Sequence, residues 1–150
     1  RLKAYLRQHG LILFDTGMAG DDGQAARPVL EGLARTLDLA PWARLDADHV
    51  LSHSFYILRG DTGARGDGTV WVDRDTQGDN GKMSSVVVGA GDWASAWAIS
   101  PAGALLGAPA RDRQAEMALR FGVNLVLYAL TGTYKADQVH VPALLERMER

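Results

Sequence analysis

Leu11-Ile12-Leu13-Phe14 runs into Asp15-Thr16-Gly17, and Val86-Val87-Val88 runs into Gly89-Ala90-Gly91-Asp92-Trp93. Unbroken apolar runs of this length predict strands buried on both faces, the habit of a parallel sheet covered by helices. Both runs end in a glycine-containing corner that carries an aspartate. In such sheets ligands sit beyond the carboxyl ends of the strands. Asp15, Thr16, Gly91, Asp92 and Trp93 are therefore the predicted ligand-binding edge. The plainer reading of each aspartate is a cap on the segment that follows, or an acceptor for loop amides.

The flanking segments fit helices around that sheet. Residues 1–9 read as the end of an amphipathic helix, with Gly10 as its stop. A helix that runs straight into a buried strand is the second half of a crossover unit, so a strand upstream of residue 1 is expected. Leu30, Leu33, Ala34 and Leu37 have helical spacing. Asp46 or Asp48 is placed to cap a short helix reaching His53, and Ser54 to Leu58 then reads as a strand. Val70-Trp71-Val72 alternates like a half-exposed strand, and residues 92–99 suit a short helix or a strand.

Arg111 to Thr131 is the longest predicted helix. Met117, Phe121, Asn124, Leu125 and Tyr128 share one face, Asn124 is expected to be a bonded core amide, and Gly132 is the expected stop. Pro142 opens a last predicted helix bearing Leu144, Leu145 and Met148. Residues 16–24, 59–68, 77–82 and 101–109 read as loops.

The chain of 150 residues is long enough for one domain with a core, here taken as residues 1–150. Its net charge of -2 offers no field for nucleic acid. The absence of cysteine excludes disulfides, thiolate zinc sites and a cysteine nucleophile within this segment. Phe121 to Leu130 is about half the roughly 20 residues of a membrane helix, so no direct membrane insertion is expected.

Other residue patterns are weaker. His49 and His53 are four apart, which on a helix shares a face and suits metal ligation, although no acidic residue lies between them as in a zinc hydrolase. The plainer reading bonds both imidazoles to backbone. Asp21-Asp22-Gly23 lacks the alternating ligands of a calcium loop. Gly17, Gly20 and Gly23 match no phosphate-binding signature. Ser54, Ser84 and Ser85 stand outside any Gly-x-Ser-x-Gly elbow. Trp93 and Trp97 suit an apolar ligand platform or core packing, and His140 has no evident acidic partner. No cofactor is predicted.

Four blocks carry a resemblance. They are Gly10-Leu-Ile-Leu-Phe-Asp-Thr16, Asp48-His-Val-Leu-Ser-His-Ser-Phe-Tyr56, Gly91-Asp-Trp-Ala-Ser-Ala-Trp97, and the run from Arg120 to Pro142. They resemble a bacterial domain-of-unknown-function family found at the C-terminus of membrane proteins with a BatA-type (aerotolerance-operon-like) N-terminus. That family is similar in fold to class I glutamine amidotransferases and ThuA-like proteins. The resemblance implies an α/β, flavodoxin-like three-layer sandwich with a mainly parallel sheet, and a parent protein anchored in the bacterial inner membrane. It implies no activity, because the amidotransferase nucleophile is a cysteine.

The residues and the resemblance together lean away from catalysis. The leading expectation is a non-catalytic module that binds a small molecule or a protein partner. The alternative is a hydrolase using Asp15, Asp92 and His49 or His53, with or without a metal. A purely structural interaction domain is the third reading.

Overall fold

The computed structural model describes residues 1–16, 27–60, 62–63, 68–76, 83–102 and 112–138. The readings of Asp21-Asp22-Gly23, of the evenly spaced glycines, of the 77–82 turn, of His140 and of the last helix lie outside these residues, as does half of the 59–68 loop.

The described chain runs α1 (Leu2–Arg7), β1 (Ile12–Asp15), α2 (Arg27–Leu37), β2 (Trp42–Arg44), α3 (Val50–His53), β3 (Val70–Asp73), a 3-10 turn (Arg74–Thr76), β4 (Val86–Gly89), α4 (Trp93–Trp97) and α5 (Asp112–Gln138). The four strands form one sheet in the order β1-β4-β3-β2. β1 and β4 are parallel, with Ile12 opposite Val86 and Asp15 opposite Gly89. β4 pairs antiparallel with β3, and β3 antiparallel with β2.

The sheet is thus mixed, and the expectation of a mainly parallel, flavodoxin-like sandwich is overturned. Two features account for the difference. A parallel neighbour needs a crossover connection, usually through a helix. β3 reaches β4 through residues 74–85, whose described part holds only a 3-10 turn. The alternation of Val70-Trp71-Val72 is also the mark of an antiparallel strand: the valines are buried and Trp71 is exposed. Only β4, in the interior of the described sheet, is buried along its whole length. β1 is half-buried, not buried on both faces.

One face of the sheet carries the core. Val70, Val72 and Val87 pack with Leu51 of α3, Trp93 and Ala96 of α4, and Ala118, Phe121, Leu125 and Tyr128 of α5. α5 lies against both α3 and α4. Trp93 stacks on Phe121 with centroids 4.6 Å apart. On the flank of α5, a Cβ at Gly122 would crowd the Trp97 indole, whose Nε1–H donates to the Ala118 carbonyl at 2.9 Å.

Asn124 is the polar pin of this layer. Its side chain is fully buried. Oδ1 accepts from the amides of Phe55 (3.3 Å) and Tyr56 (2.8 Å), and Nδ2 donates to the carbonyls of Leu51 (2.9 Å) and Tyr56 (2.8 Å). This explains why Ser54 to Leu58 is not the predicted strand. The backbone groups that a ladder would need are taken by a side chain of α5.

Three helix ends also differ from expectation. His9, at φ 62, takes the left-handed turn after α1. Gly10 is instead required because the Tyr5 ring lies where a Cβ would stand, its hydroxyl donating to the Leu11 carbonyl at 3.1 Å. The N-cap of α3 is His49, whose side chain accepts from Leu51 N–H, while Asp46 Oδ1 accepts from the His49 amide at 2.7 Å. α5 passes through Gly132 to Gln138. An interior glycine costs about 1 kcal/mol against alanine, and without a left-handed turn it does not end the helix.

Replacing Asn124 orphans two amides and two carbonyls together. Asn124→Leu is expected to cost about 3 kcal/mol or more in urea unfolding. Asn124→Asp, which keeps the acceptor but loses both donors and buries a charge, should be no better.

Candidate functional site

The parallel register of β1 and β4 sets their carboxyl ends side by side. Thr16 N–H donates to the Gly89 carbonyl at 2.8 Å. Both oxygens of the Asp15 carboxylate accept from the corner beyond β4: Asp92 N–H reaches Oδ1 at 3.2 Å and Ala94 N–H reaches Oδ2 at 3.0 Å. Asp15 therefore caps α4 from across the sheet, where free amides and a carboxylate attract one another. Asp92 occupies the N-cap position of α4 at φ 51, and its side chain makes no cap bond. An aspartate does serve the loop amides, but it is the one 79 residues upstream of Ala94.

Trp93 is wholly buried, and its Nε1–H donates to the Thr62 carbonyl at 2.8 Å. Its ring lies where a Cβ on Gly89 or Gly91 would stand. The glycines of this corner thus answer the close approach of an indole. Thr16 Oγ1 is buried and has no hydrogen-bond partner among the described residues.

The histidines lie elsewhere. His49 is 1% exposed. Its Nδ1 accepts from Leu51 N–H at 3.1 Å, which places the proton on Nε2. Nε2–H then donates to Thr76 Oγ1 at 3.2 Å, and the Thr76 hydroxyl donates to the Asp73 carbonyl at 2.6 Å. Burial pushes the His49 pKa down from 6.5 to about 4, against the pull of Asp46 and with the push of His53. His53 is exposed, with Nε2 at 3.2 Å from the Asp48 carbonyl. The pair does not share a face turned to one ligand.

This chain leads to the amino end of β4. Asp73 Oδ2 accepts from Ser85 N–H at 3.2 Å, and Ser84 Oγ accepts from Asp73 N–H at 3.0 Å. Ser84 Oγ donates to the Val86 carbonyl at 2.7 Å, and Ser84 N–H donates to the Tyr128 hydroxyl at 2.5 Å. Burial raises the Tyr128 pKa from 10.0 to about 12. Ser54 Oγ donates to the Val50 carbonyl at 2.9 Å. Among the described residues no group of three or more His, Asp or Glu side chains is placed to hold a metal ion.

The structure therefore brings Asp15, Thr16, Gly91, Asp92 and Trp93 together at the carboxyl end of β4, and leads His49 to its amino end. The sequence reading passed over Asp73 and Thr76, and placed Tyr128 only on the inner face of the long helix. Asp73 carried the same signal as Asp15, an acid closing an apolar strand; Thr76 carried none.

A family profile described as a domain of unknown function (DUF4159) matches residues 1–130. No curated protein matches the chain. No helix among the described residues is long and apolar enough to cross a membrane.

Two measurements check this geometry. Asp15→Ala leaves two amides of the α4 corner without their carboxylate, and should cost about 1–2 kcal/mol; Asp15→Asn should cost less. His49 binds a proton in the unfolded chain below pH 6.5 but resists it in the fold down to about pH 4. Its contribution is thus full above pH 6.5 and falls as the pH drops toward 4. The slope reaches about 1.4 kcal/mol per pH unit and the total about 3 kcal/mol. Urea titrations at successive pH values should show this slope, and His49→Gln should flatten it.

Proposed function

The chain belongs to the DUF4159 family, and on that premise we propose that it is a non-catalytic module that binds a small molecule or protein partner at the β1/β4 edge. The binding surface is formed by Asp15, Thr16, Gly91 and Asp92 over the buried Trp93. The observation that carries this reading is the separation of Asp15 and Asp92 from His49 along β4. A hydrolase built from these residues needs a carboxylate and an imidazole within hydrogen-bond reach. His49 is instead buried in a hydrogen-bond chain to the opposite end of the strand, with both ring nitrogens engaged. Asp15 holds two amides with its two oxygens.

Three features support binding at that edge. The two corners adjoin at the carboxyl end of parallel strands, where open α/β sheets take ligands. Asp92 is held at φ 51, a region that residues other than glycine enter at a cost. The buried Thr16 hydroxyl has an unused donor among the described residues. The four resembling blocks extend the proposal to a parent protein tethered at the bacterial inner membrane.

Incubation with chromogenic phosphate, carboxyl and glycosyl esters, with and without Mg²⁺, Mn²⁺ or Zn²⁺, tests the reading. Turnover no greater than the buffer blank is expected. Hydrolysis that Asp92→Asn abolishes would overturn it. Amide shift mapping against a fragment library should move Thr16, Gly91 and Asp92 first.

A further inference from the structure

We propose that the outward face of α5 is a homodimer interface, on which a second copy of this chain packs antiparallel about a two-fold axis between Val123 and Val126. Opposite the core-facing Ala118, Phe121, Asn124, Leu125 and Tyr128, α5 presents Leu119, Val123, Val126 and Leu130. Their exposures are 39%, 41%, 58% and 76%. The outward face of a helix that covers a sheet is ordinarily polar, and a helix apolar on both faces is one covered on both. Here no charged residue occurs from Phe121 to Tyr134.

The spacing of the four is i, i+4, i+7, i+11, the seam by which two helices interlock. It is also palindromic. Leucine, valine, valine, leucine reads the same from either end, and so do the intervals between them. A two-fold axis at the centre maps the stripe onto itself, placing Leu119 against Leu130 of the second copy and Val123 against its Val126. Self-complementarity under a two-fold is what an isologous dimer requires.

Beside the stripe, Glu116 and Arg120 pair at 2.5 Å within the helix. Phe55 and Ile57 are 64% and 66% exposed, on the segment that Asn124 holds against α5. The stripe alone exposes on the order of 400 Å², as much as the largest apolar patch of many monomers. Burying the stripe on both copies covers about 800 Å², the range of a weak, transient interface. The interface does not rest on the binding reading of the β1/β4 edge, and would stand if that edge proved catalytic.

The absence of native cysteine makes the geometry directly testable. Leu119→Cys and Leu130→Cys are oxidised separately and as a mixture. Antiparallel packing keeps two copies of either residue about 16 Å apart along the axis, beyond the ~7 Å Cα separation that a disulfide spans. A cross-linked dimer is therefore expected in the mixture and in neither variant alone. Sedimentation equilibrium of the full chain should show a monomer–dimer transition that Val126→Lys shifts at least tenfold to higher concentration, with unchanged far-ultraviolet circular dichroism. Should Val126→Lys fail to fold, the cysteine pair decides alone. Cross-linking within either single variant, or its absence from the mixture, overturns the proposal. So does a full chain that stays monomeric and associates only once residues 139–150 are removed, which would give the stripe to that segment.

Discussion

The bond from the Asp15 carboxylate to the amides of Asp92 and Ala94 holds the rest of the molecule in register. It ties the end of one strand to the turn beyond its parallel neighbour, and so fixes where α4 begins. From that start Trp93 enters the core against Phe121. α5, placed by that stack, carries the two side chains that organise the opposite flank. Asn124 gathers residues 51–56, and Tyr128 receives the amide of Ser84 at the head of β4. A single carboxylate thus orders a chain of contacts across the sheet face. Apart from the Trp93–Phe121 stack, each link is a polar group whose partner is supplied from a distant part of the sequence.

The same economy bears on function. Both ends of β4 carry an amide-binding carboxylate, Asp15 beyond one and Asp73 at the other, but only the second is joined by a neutral imidazole, hydroxyls and a phenol. The second cluster is knit by its own hydrogen bonds. Its hydrogen bonds run in one direction from Leu51 N–H through His49 and Thr76 to the Asp73 carbonyl. A group that accepts on one nitrogen and donates on the other is structural in the plainest sense, because protonation would set two donors against each other. The first end keeps an unusual backbone at Asp92 and a Thr16 hydroxyl with no partner among the described residues. That asymmetry directs attention to one end of the strand.

Much of this was legible in the sequence. The two apolar runs gave β1 and β4 as strands of one sheet, though not of a mainly parallel one, the spacing of Phe121, Asn124, Leu125 and Tyr128 gave the inner face of α5, and Asn124 read as a bonded amide. What escaped was set by distance or by brevity. Trp42-Ala43-Arg44 is too short to show a period, so β2 carried no signal. Phe55-Tyr56-Ile57 has strand-forming residues, yet its backbone is claimed by Asn124, 68 residues from Tyr56. Strand direction follows from how the chain returns, and local pattern does not encode that return. At the site, the edge itself was predictable from the run-then-aspartate rule. Which aspartate would cap was not, since a cap is ordinarily sought beside its helix. Imidazole is also not among the usual capping groups, which hid the role of His49.

The pairing of β1 with β4 has a consequence for the order in which the chain is made. Asp15 and the amide of Asp92 are 77 residues apart. At ~5–20 residues per second, synthesis leaves β1 without its parallel neighbour for roughly 4 to 15 s. Throughout that interval Leu11 to Phe14 is an apolar run with neither its sheet partner nor the helix turn that its carboxylate will hold. The first strand of the described sheet to emerge is thus among the last to be secured. The nascent chain must keep that run from pairing elsewhere until residue 92 has left the ribosome.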